Sequence, residues 1–133
     1  MYMLSRNEAR IAAMKCLYQI DILKQALLPY DLDEVMKENL DVENEFVKDI
    51  VYGVETTQKE LDQIANKYLN NWDISRLDKA GAAILRLGIY EMKYLDTPPI
   101  VIINEAVELA KEYCDEDLVK MINAVLDKIM KES

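Results

Sequence analysis

The stretch Ser75–Tyr113, S-R-L-D-K-A-G-A-A-I-L-R-L-G-I-Y-E-M-K-Y-L-D-T-P-P-I-V-I-I-N-E-A-V-E-L-A-K-E-Y, decides the fold. Between Ala80 and Tyr90 only Arg86 is charged, so a helix there is apolar on nearly every side and has to be surrounded by other helices. It reads as the central strut of a bundle, with Ser75 as its N-cap. Gly81 and Gly88 fall on one face of that strut, where missing side chains let another backbone come close. Pro98 and Pro99 then end one helix and open the next, whose stripe is Ile103, Ala106, Val107 and Ala110. The two helices form a hairpin.

Working outward to the N-terminus, Ser5 followed by Glu8 is a capping box that starts a helix at Arg6, and periodicity carries it to about Lys24. Ala9, Ala12, Ala13, Cys16, Ile20 and Leu23 share its core face. A second apolar stripe, Ile11, Met14, Tyr18 and Ile22, lies on the opposite side. An amphipathic surface helix is polar there, so that stripe is either covered by another helix of this chain or kept for a partner. Asp31 caps a short helix reaching about Lys37 in an acidic outer edge. From Val42 the stripe Phe46, Val47, Ile50, Val51, Val54 makes a third helix, with an interruption expected at Gly53–Thr57. A fourth, capped by Thr56 or Thr57, carries Leu61, Ile64, Ala65, Tyr68 and Leu69. Trp72, in the connector before the strut, reads as an anchor packing the two halves together.

On the C-terminal side the loop Cys114–Asp117 starts a final helix, its acidic N-terminus and basic Lys128 and Lys131 matched to the helix dipole. Ile122, Val125, Leu126 and Ile129 face inward. The expectation is therefore an all-α fold of seven helices in one domain over 1–133, three in an N-terminal group (about 1–57) and four in a C-terminal group (about 58–133). Composition agrees: 51% of residues are hydrophobic and only 3 of 133 are glycine, which favours helices over sheet.

Several functions are excluded by what is missing. The chain has no histidine, the commonest general base and metal ligand. Cys16 and Cys114 are too far apart for a metal pair or a disulfide framework, and no glycine-rich phosphate loop occurs. No catalytic residue, metal or cofactor is expected, and carboxylates a turn apart such as Glu105 and Glu108 read as a polar face. No apolar run approaches the ~20 residues that cross a bilayer, and the start M-Y-M-L-S-R-N-E lacks the pattern of a signal peptide. A cytoplasmic protein without a membrane partner is expected.

The net charge of −9 argues against a general nucleic-acid binder. Its distribution is uneven: +2 over residues 1–24, −8 over 25–75, +2 over 76–95 and −5 over 96–133. If the first helix packs beside the strut, the cations form one mildly basic zone on an acidic body, which suits a weak and specific site. Ordinary solvated charges account for the same pattern equally well.

The run L-R-L-G-I-Y-E (Leu85–Glu91), the segment Pro99–Lys111 with I-N-E-A-V-E-L-A-K, and N-A-V-L-D-K-I (Asn123–Ile129) resemble the NusB family of transcription antitermination factors. Ser5-Arg6, Ala9-Arg10 and Leu17-Tyr18-Gln19 are similar to the family's first helix, so the likeness covers nearly the whole chain. The resemblance implies the seven-helix NusB-like bundle and a factor that helps elongating RNA polymerase read through terminators. It further implies binding of boxA, a short single-stranded RNA, together with NusE, a small-subunit ribosomal protein. Carried over by position, it nominates Arg6, Arg10, Tyr113, Lys120 and Met121 for RNA. The stripe Ile11, Met14, Tyr18 and Ile22 is nominated for NusE. Cations that hold phosphates beside an aromatic face for an unpaired base are the chemistry such a site needs.

Three departures stand out. Arg6 and Arg10 are separated by Asn7, Glu8 and Ala9, where relatives cluster arginines. The family's K-F-V-N-G is K-M-I-N-A here, so Met121 and Ala124 replace an aromatic and a glycine. Gly81 and Ala82 stand where an acid and a base are usual. The alternative function is a NusB-like protein-interaction module with little or no RNA binding. A homodimer is left open.

Overall fold

The computed structural model describes residues 3–132; Met1, Tyr2 and Ser133, and with them the first two residues of the segment read above for a signal peptide, lie outside the described part. The described residues form six α-helices and no strand: α1 Arg6–Gln25, α2 Leu32–Asn39, α3 Glu45–Tyr68, α4 Lys79–Tyr94, α5 Pro99–Tyr113 and α6 Glu116–Lys131. A 3-10 turn, Ile74–Arg76, leads into α4.

Helix α4 is the expected strut. Every residue from Ala80 to Glu91 is buried, and α1, α3, α5 and α6 all pack against it. Its cap is Asp78, which accepts from the Ala80 amide at 3.2 Å, three residues later than expected. Ser75 sits in the 3-10 turn and donates to Asp73 instead. The two glycines do create close approach, but to side chains of α6. A Cβ at Gly81 would stand 2.4 Å from Leu118 Cδ2, and one at Gly88 3.2 Å from Leu126. The prolines act as read: α5 starts at Pro99 with Pro98 in the cap position.

The largest correction concerns α3. The interruption at Gly53–Thr57 does not occur, and the expected third and fourth helices are one 24-residue helix. The hydroxyls that looked like caps bond back into their own helix, Thr56 to the Tyr52 carbonyl at 2.9 Å and Thr57 to the Gly53 carbonyl at 2.7 Å, which satisfies them without ending it. Gly53 is there to admit Tyr90, since a Cβ would come within 2.1 Å of the phenolic oxygen. That oxygen donates to Asp49 at 2.8 Å. Six helices and a turn thus replace the count of seven.

At the other end of α3, Asn44 caps the helix by accepting from Val47. Asp31 caps α2 by accepting from Glu34, and the acidic edge it opens is exposed at Asp31, Asp33 and Glu34. Trp72 is not an anchor: it is 52% exposed, and the connector is pinned by buried Leu69, Ile74 and Leu77. In the last helix Ile122, Val125 and Leu126 are buried as expected.

The charge of the apolar run, Arg86, is buried. Arg86 pairs with Asp62 of α3 at 2.8 Å and with Asp21 of α1 at 3.4 Å, and Lys79 reaches Asp21 at 3.7 Å. Burial acts against the guanidinium charge, but the bond to Asp62 and the attraction of both carboxylates outweigh it, so its pKa is raised. A buried arginine needs such partners, because an unpaired charge in the interior is strongly destabilising.

Candidate nucleic-acid and partner interface

Helix α1 begins with the reciprocal capping box, the Ser5 hydroxyl accepting from the Glu8 amide at 3.0 Å and the Glu8 carboxylate from the Ser5 amide at 2.9 Å. This fixes the first turn of α1, which carries Arg6. Arg6 is exposed, and its guanidinium lies 4.0 Å from the centre of the Phe46 ring. Arg10, one turn later, is 4% exposed. Its guanidinium forks onto Glu91 of α4 through two bonds of 2.8 Å, and Thr97 donates to the same carboxylate at 3.2 Å. The bond to Glu91 raises the Arg10 pKa against the opposing effect of burial. The reading of Arg10 as a phosphate contact is therefore corrected. Its donors facing Glu91 are occupied, and it fastens α1 to the strut.

The second stripe of α1 is divided. Met14 is 2% exposed and belongs to the core, and Ile11 is half-buried. Tyr18 and Ile22, one turn apart, stay open at 40% and 41%. The partner reading keeps these two, with Ile11 at the edge, and loses Met14.

Ile11 and Asn7 line a groove of about 330 Å³ against Glu108, Leu109, Lys111 and Glu112 of α5. Asn7 donates to Glu105 at 3.1 Å, so the first turns of α1 lie beside α5. Tyr113, the next residue after Glu112, closes α5 and is 39% exposed. Lys120 is exposed on the second turn of α6, and Met121 beside it is partly buried against the core. Among the described residues no contact joins Lys120 or Tyr113 to Arg6 or Arg10. The carboxylates of Glu108 and Glu112 line the groove beside Asn7 and Ile11, and Asp115, Glu116 and Asp117 precede Lys120.

Two residues that shape this region were not singled out for it. Phe46 was read only as core, and Glu91 only as part of a motif. A carboxylate directly following an apolar helical run was the available signal for Glu91, because such a group must find a cation. Nothing local marks Phe46 as the plate under Arg6.

The chain matches known proteins along nearly its whole length. Residues 7–131 match the NusB family. The transcription antitermination protein NusB of Staphylococcus aureus strain JH9 is 39% identical over 129 residues, covering 96% of this chain and all of that protein. Among solved structures, Thermotoga maritima NusB superimposes with a TM-score of 0.85 at 30% identity, covering 98% of this chain and 94% of that one. NusB in a complex of antitermination factors NusB and NusE with double-stranded RNA gives 0.83 at 30% identity, covering 96% and 97%. With a shared helical architecture and a sequence match from α1 to the end of α6, the chain belongs to the NusB family.

Proposed function

We propose that the protein is a transcription antitermination factor that binds boxA-type RNA together with NusE and acts on elongating RNA polymerase. The observation that carries this reading is the full-length match to a NusB whose structure was solved with NusE and RNA. The exposed pair Tyr18 and Ile22 supplies an apolar patch for NusE, with Ile11 at its edge. Arg6, Tyr113 and Lys120 supply the exposed cations and ring for RNA, and Met121, next to Lys120, has only part of its surface free. Action on polymerase implies a cytoplasmic, non-enzymatic protein. It works as a single domain, in which the helices before and after the middle of α3 form the two groups around the strut.

RNA contacts this sparse give weak binding alone. Each neutralised phosphate contributes about one unit of log affinity per log salt, and few cations are free. NusE adds its own contacts and holds the RNA in place, which raises the effective concentration. Fluorescence anisotropy of labelled boxA-like RNA, with and without NusE, tests this. Weak binding by the protein alone and marked strengthening by NusE is the expected result. The alternative reading, an interaction module with little RNA binding, is favoured by the burial of Arg10 and by the carboxylates of Glu108 and Glu112 in the groove beside α1. No RNA binding in the presence of bound NusE would select it.

A further inference from the structure

On the face of α3 turned away from α1, an open trough of about 540 Å³ runs between α3 and α4. The other face of α3 is covered, since Val51, Val54 and Gln58 meet Leu17 and Ile20 of α1 there. The trough is lined by three tyrosines, Tyr52, Tyr90 and Tyr94, with Asp49 and Glu45 at its edge and Gly53 in its floor. The rings of Tyr90 and Tyr94 are tilted neighbours with centres 5.2 Å apart.

The polar groups here point one way. Tyr52 donates to Asp33, Tyr90 to Asp49 and Tyr94 to Glu60. Thr56 and Thr57 donate into their own helix. The phenolic protons are held firmly: burial, then the bond to Asp49, pushes the Tyr90 pKa up to about 12. What the trough offers a ligand is the ring faces of Tyr52 and Tyr94, since Tyr90 is only 6% exposed, and carboxylate oxygens, with the Lys48 ammonium at the rim. Donors for an anion are otherwise spent.

We propose that this trough is a docking site for an arginine-bearing segment of a protein partner, separate from the α1 surface assigned to NusE. A guanidinium can lie flat on a tyrosine ring while forking onto a carboxylate, which an ammonium cannot do. The chain already makes the stacking half of that contact at Arg6 on Phe46, beside Glu45 of the rim. An open trough along two helices suits an extended segment better than an enclosed small molecule. RNA is disfavoured, because residues 25–75, which include the α3 wall, carry a net charge of −8 and repel phosphate.

The test is anisotropy of a fluorescein-labelled peptide of alternating glycine and arginine, titrated with the full chain. Tyr94→Leu leaves the net charge unchanged and should weaken binding about threefold to tenfold. Asp49→Asn, which keeps an acceptor for Tyr90, should weaken it too, whereas Asp117→Asn on α6, with the same charge change, should not. Circular dichroism confirms that each variant is folded. A lysine peptide should bind less tightly than the arginine one. The proposal is overturned if Tyr94→Leu binds like wild type, or if Asp117→Asn weakens binding as much as Asp49→Asn. It is also overturned if spermidine displaces the peptide equally from wild type and Tyr94→Leu, or if a single-stranded RNA binds in a Tyr94-dependent way. Tyr18→Asp should leave peptide binding intact, which separates this site from the NusE surface.

Discussion

Arg10 and Glu91, 81 positions apart in the chain, meet inside the bundle through two parallel bonds of 2.8 Å. The pair joins the first turns of α1 to the end of the strut, with Thr97 of the following loop on the same carboxylate. It is a forked, charge-assisted contact, the strong form of the arginine–carboxylate interaction.

Removing one member of that pair leaves the other charge stranded. Arg10→Ala or Glu91→Gln should lose about 3 to 5 kcal/mol of stability, read as an earlier urea midpoint. The double change Arg10→Met with Glu91→Leu should lose much less than either alone, because an apolar pair needs no desolvated partner. Additive losses in the double variant would mean that the pair is not the source of the effect. Loss of RNA binding in Arg10→Ala would then be a folding effect, which thermal unfolding of the same sample separates from a lost contact.

Thr56 distinguishes a continuous α3 from two helices. As a cap its replacement by alanine would cost about 0.5 to 2 kcal/mol. In the middle of a continuous helix, exposed and bonded back to the Tyr52 carbonyl, alanine is the better helix former. Thr56→Ala should therefore stabilise by up to about 0.7 kcal/mol. Denaturant unfolding gives the sign directly.

The exposed ring of Tyr18 makes the partner assignment testable without disturbing the core. Tyr18→Asp should shift the unfolding free energy by no more than about 0.5 kcal/mol, while NusE binding measured by calorimetry falls sharply. Met14→Asp, on the neighbouring position of the same stripe, should instead unfold the protein, because Met14 is 2% exposed.

Alkaline pH should destabilise the fold in a defined window. Burial raises the thiols of Cys16 and Cys114 from an ordinary 9.0 to about 11, and raises Tyr90 from 10.0 to about 12. The folded state favours the neutral form of each group, so its contribution is fully present below the unfolded pKa. It is lost as pH rises towards the folded value. Melting temperature should hold up to about pH 9 and fall between 9 and 12. Cys16, fully buried, should also resist alkylation at pH 8 until the chain is unfolded.

What could be read from sequence was what local chemistry settles. The Ser5–Glu8 box, the apolar run of α4, the Pro98-Pro99 junction and the acidic start of α6 depend on residues within a turn or two of each other. What escaped depends on distant partners. Gly53, Thr56 and Thr57 look like a helix break until Tyr90 is seen to occupy the space over Gly53. Arg10 looks like a surface cation until Glu91 arrives from another helix. A helical wheel shows that α1 has two apolar stripes, but only the packing around it decides that Met14 is covered and Tyr18 is not. The family resemblance nominates positions for the site, but which of them are exposed and which are spent inside the bundle depends on partners from other helices.

Because α3 runs unbroken from Glu45 to Tyr68, about 36 Å at 1.5 Å per residue, it ties together side chains from several helices along its length. Its first turns carry Phe46 under Arg6 and reach Asp33 of α2 through Tyr52, its middle receives Tyr90, and Asp62 near its end holds Arg86. Opening one end of α3 by itself would fray a helix that the contacts at its other end still grip. Amide exchange along α3 should thus follow one slow, shared rate, and a disturbance felt at one end arrives at the other as a change in the same rigid rod.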